Sequence, residues 1–175
     1  MSEMGISKKH ISYPKIGQFR DAIKSVTHEY RFVGLDEEGN AVYDEDKPLP
    51  TLKALGTIKL HGTNASVKYN NIDGLQTQSR NNSFDLDKVD SHMGFTAFVI
   101  SNKSVWLGLI TQLSKTHSVD LSTNTMTIFM EWIGRGIQKG VAVSELDKMA
   151  VIFSRAKITP MDTDLDSYWI PTKSN

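Results

Sequence analysis

The chain has 175 residues, 39% of them apolar and 23% charged, and its 20 basic and 20 acidic side chains balance to a net charge of zero. This length suits one domain whose core needs no disulfide or metal support. The charge balance excludes a protein that coats nucleic acid by bulk positive charge, although it is compatible with a local basic groove. The lack of Cys excludes disulfides, thiolate metal sites and Cys nucleophiles. No apolar run approaches the ~18 residues of a membrane span, and MSEMGISKKH lacks the apolar region of a signal peptide, so we expect a cytoplasmic protein with no membrane partner.

The first 50 residues are the least regular part of the chain. Residues 19–30 place four apolar side chains at helical spacing, which predicts a short amphipathic helix. Residues 35–43 (LDEEGNAVY) predict a hairpin with its turn at Glu38-Gly39-Asn40, and residues 44–50 (DEDKPLP) predict a charged loop. We attach no function to this segment.

The centre of the chain is richer in strand patterns. Residues 56–60 and 65–69 alternate around the polar letters HGTN, which predicts two strands and a turn. Asn70-Asn71 and Asp73-Gly74 then predict a tight reversal into a strand over residues 75–80.

Two helices and two more strands are predicted beyond this point. Asp90 and Ser91 are candidate N-caps of a helix that runs through Val99, and residues 105–113 predict a second helix. Residues 125–132 and 149–153 are β-rich. Hairpins together with two helices predict an α+β domain built on antiparallel sheet, because the chain lacks the βαβα alternation of a dinucleotide-binding fold.

The segment Lys59-Leu60-His61-Gly62-Thr63-Asn64 contains a candidate nucleophile. A lysine held before a glycine turn could attack a bound substrate, provided that desolvation or nearby positive charge lowers its pKa from about 10.4. Gly62 would let the backbone pass close to a ligand, and Thr63 and Asn64 offer polar groups. A hairpin with a solvated lysine is the ordinary explanation of an isolated K-x-x-G, and spacing alone does not exclude it.

Three more side chains are candidates for a ligand site, each with a structural alternative. Arg80 could grip a phosphate or ribose, or simply lie in a surface loop. Glu131 follows the apolar letters TIFM, so it would need a partner if buried, or it could lie on the solvated side of an edge strand. Phe153 ends a strand, where a ring can stack on a base or belong to the core. The five histidines show no metal-ligand spacing, so we predict no zinc site.

Taken together, these segments carry a family resemblance. The chain resembles bacteriophage-type ATP-dependent RNA ligases, which seal nicked duplex RNA, in four ordered segments: KLHGTNAS, QSR, MEWIGRGIQKG and MAVIFS. This family belongs to the covalent nucleotidyltransferases, along with DNA ligases and mRNA capping enzymes. DNA ligases usually have K-x-D-G where this chain has Lys59 to Gly62 with His61, so the resemblance favours the RNA branch, as does the GIQKG that follows Glu131.

The resemblance implies a role for each candidate residue. Lys59 would attack the α-phosphate of ATP to form lysyl-AMP, and Mg²⁺ would neutralise the departing pyrophosphate. In the same way the resemblance implies cofactor-binding residues on the phosphate, ribose and base sides of the nucleotide: His61, Gly62, Asn64, Arg80, Glu131 and Phe153. The AMP would then pass to an RNA 5′-phosphate, and a 3′-hydroxyl would displace it.

The resemblance also implies how the chain is organised. We expect residues 1–175 to form a single, partial adenylylation domain of nucleotidyltransferase fold, with an N-terminal segment over 1–50 and the nucleotide-binding signature region over 51–155. Two further family segments, an acidic strand and a lysine pair, have no match after Phe153, because the sequences around Lys157 and Lys173 do not match the family's lysine pair. The domain is therefore expected to be truncated on its C-terminal side and to leave an exposed sheet edge, which favours a partner polypeptide or an oligomer.

The function expected from these observations is ATP-dependent RNA ligation, with RNA ends or nicked duplex RNA as substrate. The alternative is a non-catalytic or split-ligase module that binds nucleotide or RNA and lacks the C-terminal catalytic segments. Saturable ATP binding without covalent transfer would distinguish the alternative from the ligase.

Overall fold

Two units make up the described part of the chain. The computed structural model describes residues 9–173, so the expectation drawn from the N-terminal letters falls mostly on residues 1–8, outside this range. One unit comprises residues 14–58, and the other comprises residues 9–13 together with 59–173. The boundary before Lys59 lies eight residues beyond the end of the N-terminal segment predicted over 1–50.

The unit of residues 14–58 contains the predicted helix and hairpin. Helix α1 spans Phe19–Arg31, and strands β1 (Phe32–Leu35) and β2 (Ala41–Tyr43) pair antiparallel, which confirms both predictions. The Asp36 carboxylate accepts hydrogen bonds from the backbone N–H groups of Asn40 (2.7 Å) and Glu38 (3.0 Å) and so closes the turn. These bonds, those from Asn40 foremost, hold the pKa of Asp36 below its usual value.

A six-stranded antiparallel sheet forms the centre of the larger unit. Its strands lie in the spatial order β5-β4-β3-β6-β7-β8. Their bounds are β3 Thr63–Asn70, β4 Gly74–Ser79, β5 Ser83–Phe84, β6 Asn124–Ile133, β7 Met149–Pro160 and β8 Tyr168–Pro171. The register pairs Asn64 with Glu131 and Ala65 with Met130, so the centre of the sheet joins residues that are more than 60 positions apart in sequence.

Two helices cover one face of this sheet and close the core. A left-handed turn, His92–Gly94, leads into α2 (Phe95–Ser101), which is followed by α3 (Lys103–Thr116), and a 3₁₀ turn spans Ala142–Glu145. Alternate residues of β3 and β6 point at the helices and are buried with them in one cluster: Ala65, Val67, Met126, Ile128, Met130 and Trp132 from the strands, and Phe95, Val99, Trp106, Ile110 and Leu113 from the helices.

The opposite side of the sheet, here called the polar face, carries the intervening residues of the same strands. Because directly paired residues point to the same side of a sheet, Asn64 and Glu131 share this face, and so do Ser66, Gln78 and Phe129. Asn64 and Glu131, the two predicted cofactor-binding residues within strands β3 and β6, therefore lie on one side of the sheet, away from the helices.

The predicted strand over residues 56–60 is wrong: the chain is irregular there and Ile58 is 90% exposed. A strand requires a hydrogen-bonding neighbour, and β3 is already paired on both sides, with β4 and β6. The predicted cap is also displaced, because a turn of positive-φ residues separates Ser91 from α2, whose N-cap is Gly94. Neither β8 nor the extension of β7 to Pro160 was predicted from the sequence.

The observed class is α+β with antiparallel sheet, as predicted. Among residues 9–173, no single helix is both long and apolar enough to cross a membrane. The segment His92–Ser101 passes that test only jointly with α3, across a bend of 79°. Both helices bury apolar side chains in the core described above.

Candidate functional site

The segment before β3 holds the candidate nucleophile at the surface. Lys59 and His61 are exposed and precede the first strand residue, Thr63. The chain becomes regular at Thr63 because pairing with β6 begins there, opposite Trp132. Lys59 therefore lies four residues before the start of β3 and is exposed to solvent.

Gly62 joins this segment to β6 through two hydrogen bonds. Its N–H donates to the carboxylate oxygen Oε1 of Glu131 at 3.0 Å, and its carbonyl accepts a bond from the side-chain amide of Gln138 at 3.1 Å. Glu131 and Gln138 are separated from Gly62 by 69 and 76 positions. The two longest segments of the family resemblance thus meet at one point, and Glu131 has the partner that its half-buried position requires.

The approach of Gly62 to β6 is too close for any other residue. A Cβ atom on Gly62 would lie 2.6 Å from the Ile133 side chain and closer still to the carbonyl oxygen of Trp132. Contacts below about 3 Å to backbone atoms cannot be relieved by turning a side chain. The glycine is therefore required by packing against β6, whether or not a ligand binds.

The loop after Glu131 folds back on itself. The Arg135 N–H donates to the Leu146 carbonyl at 2.9 Å, and Ile137 buries its side chain. Gly134 has a φ of +120°, and a Cβ atom there would lie 2.7 Å from the Asp147 carbonyl oxygen. The segment GRGIQKG thus forms a loop at the end of β6 that is closed by the bond between Arg135 and Leu146. This loop contains Gln138, whose side chain donates a hydrogen bond to Gly62.

Phe153 lies on the polar face with Glu131. Glu131 pairs with Val151, two residues before Phe153 on β7. The Phe153 ring is half-buried and packs edge-on against Tyr13, with ring centroids 5.1 Å apart, and Tyr13 in turn contacts Phe129. Phe153 therefore belongs to an aromatic cluster at the same end of the sheet as Glu131.

Arg80 is the candidate that the structure ties least to the others. It is exposed and immediately follows β4, whose last residue, Ser79, pairs with Ala65. This register puts Arg80 at the strand end beside Asn64. Of the seven predicted site residues, Gly62, Asn64 and Glu131 are joined by hydrogen bonding or register, Phe153 shares their face, and Lys59, His61 and Arg80 lie exposed at adjoining chain positions.

A left-handed turn that the sequence did not predict lies next to the site. His92, Met93 and Gly94 have φ values of 53°, 57° and 82°, a conformation that costs non-glycine residues about 1–3 kcal/mol. His92 Nε2 lies 3.0 Å from the carbonyl oxygen of Asn64, and because a carbonyl can only accept, Nε2 must carry the proton. The Met93 carbonyl accepts bonds from Lys148 Nζ (2.9 Å) and Trp132 Nε1 (3.4 Å).

Burial lowers the pKa of His92, and the bond to Asn64 opposes that shift in part. The neutral imidazole is therefore the favoured form in the folded protein. The turn connects β3, β6 and the loop that follows Glu131. The only signal in the sequence was a histidine two residues before a glycine, which is too weak to assign a role.

The described residues contain no group of three or more His, Asp or Glu side chains that could hold a metal ion. A cavity of about 340 Å³ does exist, but it lies at the other end of β3 and β6, beside Lys68, Asn70 and Thr125. The candidate residues lie at the Gly62 end of the sheet, and none of them lines this cavity.

Comparison with known proteins adds no family assignment: no family model matches the chain, and no curated protein is significantly similar to it.

Proposed function

We propose that this chain is an ATP-dependent RNA ligase that forms a lysyl-AMP intermediate on Lys59 within a nucleotidyltransferase fold. The observation that carries the proposal is the junction at Gly62, which hydrogen-bonds both to Glu131 and to Gln138. This junction brings together the K-x-H-G-T-N segment and the segment from Glu131 to GIQKG, on which the resemblance to RNA ligases mainly depends. Pairing of β3 with β6 places the two segments side by side, and the resemblance gives both of them a role at the same nucleotide.

The proposed nucleotide lies at the Gly62 end of the sheet. Phe153 would stack on the adenine, since a ring at a strand end offers a flat apolar surface to a base. Glu131 would accept a hydrogen bond from a ribose hydroxyl with the carboxylate oxygen that Gly62 does not use. Asn64 and His61 would line the phosphate side, and Arg80 would bind ribose or phosphate with its planar group of donors.

The proposed reaction has three steps, in each of which one bond to phosphorus forms as another breaks. The deprotonated Lys59 amine attacks the α-phosphorus of ATP, and the bond to the bridging oxygen breaks to release pyrophosphate. An oxygen of the RNA 5′-phosphate then displaces the lysine, whose nitrogen regains a proton, and RNA carries the AMP. Finally an RNA 3′-hydroxyl loses its proton and attacks the 5′-phosphorus, and AMP leaves.

Mg²⁺ fits this proposal as a companion of the nucleotide. Magnesium sites in phosphoryl-transfer enzymes use one or two carboxylates and the substrate phosphates, and do not require a complete cage of protein ligands. When bound with ATP, the ion would neutralise charge on the leaving pyrophosphate. Glu131 is a carboxylate at this end of the sheet, but its bond to Gly62 favours the ribose role.

The test is the intact mass of the purified chain after incubation with ATP and Mg²⁺. We expect a gain of one AMP that is absent from Lys59→Ala and retained in Lys53→Ala, a matched change at another exposed lysine of the preceding irregular segment. ATP binding without an adduct would contradict catalysis by this chain and support the binding-module alternative. If the protein neither binds ATP nor forms an adduct, the proposed nucleotide site is overturned.

The substrate is tested with the same protein. Adenylylated chain is mixed with nicked duplex RNA, nicked duplex DNA and single-stranded RNA that each carry a labelled 5′-phosphate. We expect transfer of AMP to the RNA nick and little to the DNA nick. Equal transfer to both nicks would favour the DNA ligase branch, against the resemblance at His61.

A further inference from the structure

Residues 9–13 lie across the polar face and are held there through their backbone. The N–H of Ile11 donates to Gln78 Oε1 at 2.9 Å, and the amide of Gln78 donates back to the Ile11 carbonyl at 3.1 Å. Lys68 Nζ donates to the Lys9 carbonyl at 3.1 Å. Gln78 is fully buried and Lys68 is 4% exposed, so both anchors are part of the sheet rather than mobile surface groups.

This segment ends by placing Tyr13 among three other aromatic rings. Its ring centroid lies 5.1 Å from Phe129, 5.1 Å from Phe153 and 5.8 Å from Trp169, and every contact is edge-on. Phe153 and Trp169 are half-buried, whereas Phe129 is 1% exposed. Tyr13 is thus the ring that connects Phe153 to the buried part of the cluster.

We propose that Tyr13 is a positioning residue for nucleotide binding: it fixes the orientation of the Phe153 ring and so prepares that ring to stack on the base. This inference rests on the proposed function and adds to it a residue from a segment that showed no motif. Tyr13 touches Phe153 rather than the reacting atoms, and its effect is confined to recognition of the base.

The physical reason is the entropy of an aromatic side chain at a strand end. A half-exposed ring can occupy several rotamers, and a ligand that stacks on it must select one of them and lose that freedom. The edge-on contact with Tyr13 limits the rotamers of Phe153 before a ligand arrives. Tyr13 is itself held, because the backbone two residues earlier is clamped by Gln78.

The test compares substitutions that remove different contacts of the cluster. Tyr13→Leu removes the ring beside Phe153, Tyr13→Phe keeps it, and Trp169→Leu removes a ring that contacts Tyr13 and Phe129. Calorimetry with Mg²⁺ measures the affinity of each full-length variant for ATP and for inorganic tripolyphosphate, which has no base. Thermal unfolding checks that each variant is folded, and Tyr13→Met replaces Tyr13→Leu if the latter is unfolded.

We expect Tyr13→Leu to weaken ATP binding about tenfold, a change of about 1.4 kcal/mol, with tripolyphosphate binding unchanged. Tyr13→Phe and Trp169→Leu should bind ATP as the wild type does. Equal loss for both ligands would mean a merely structural role and would overturn the inference, as would undiminished ATP binding by Tyr13→Leu. If the wild type binds no ATP, the proposed function falls and this inference falls with it, whereas the other outcomes leave the proposed function standing.

Discussion

Replacement of Gly62 by alanine should damage the protein far more than the addition of one methyl group suggests. The new Cβ would lie 2.6 Å from the Ile133 side chain and 3.0 Å from Cγ of Glu131, and it would also collide with the carbonyl oxygen of Trp132. That carbonyl belongs to the strand that pairs with Thr63. Relief therefore requires the start of β3 to move away from β6.

The size of the effect follows from two costs. Forced overpacking costs about 1–3 kcal/mol. Moving Gly62 also breaks its hydrogen bond to the Glu131 carboxylate, and bonds to charged groups contribute about 1.5–3 kcal/mol. We therefore expect a loss of about 2.5–6 kcal/mol of unfolding free energy, which is a large share of the roughly 5–15 kcal/mol typical of a domain.

The assay is urea denaturation followed by tryptophan fluorescence, because Trp106, Trp132 and Trp169 all lie in the larger unit. Gly108→Ala is the matched control: Gly108 is an exposed residue of α3 with open space around it. Removing a glycine from a helix interior should raise stability by up to about 1 kcal/mol. If Gly62→Ala unfolds at the wild-type urea concentration, the close approach to β6 is refuted.

Three further predictions concern other parts of the larger unit. Since burial lowers the pKa of His92, its stabilising contribution should be complete above about pH 6.5 and should decline as the pH falls through the lowered pKa. The stability difference between wild type and His92→Gln should therefore shrink on acidification, and a difference that is constant with pH would contradict this. Gln78→Leu leaves the backbone of Ile11 without its hydrogen-bond partners and should lower the free energy of unfolding by about 2–3 kcal/mol. The control Gln112→Leu, on the exposed side of α3, should change that free energy by no more than about 0.5 kcal/mol. Equal effects of the two substitutions in urea denaturation would show that the hydrogen bonds holding residues 9–13 contribute nothing to stability. Strands β5 and β8 form the two edges of the six-stranded sheet, and an unpaired edge can pair with a second copy of the chain. Sedimentation of the purified protein should therefore show a dimer, and a stable, well-folded monomer would count against that expectation.

Local patterns were sufficient for most of the secondary structure. The apolar spacing of residues 19–30, the turn letters around Gly39 and Gly74 and the β-branched letters of β6 each act over a few neighbouring residues. Such signals survive in the fold because each element's own hydrogen bonds and buried face agree with its sequence. The α+β class and the antiparallel hairpins were predictable for that reason.

The secondary-structure predictions were wrong where the conformation of a segment depends on residues far away in the sequence. Residues 56–60 alternate like a strand but remain irregular, since both sides of β3 are taken by β4 and β6. Strand β8 went unrecognised because four residues make a weak pattern that becomes a strand only beside β7. Intrinsic strand propensity is a local property and does not indicate whether a sheet has an edge free to pair with the segment.

The same distinction between local and long-range information applies to the candidate site. The sequence by itself supplied candidates: Lys59, Glu131 and Phe153 were selected by residue type and neighbours, together with the resemblance of their segments to RNA ligases. Only the tertiary structure decided which of them meet: the bond from Gly62 to Glu131 and the contact of Tyr13 with Phe153 join positions 69 and 140 residues apart. Strand register and packing determine such contacts, and both depend on the whole chain at once rather than on any local run of letters.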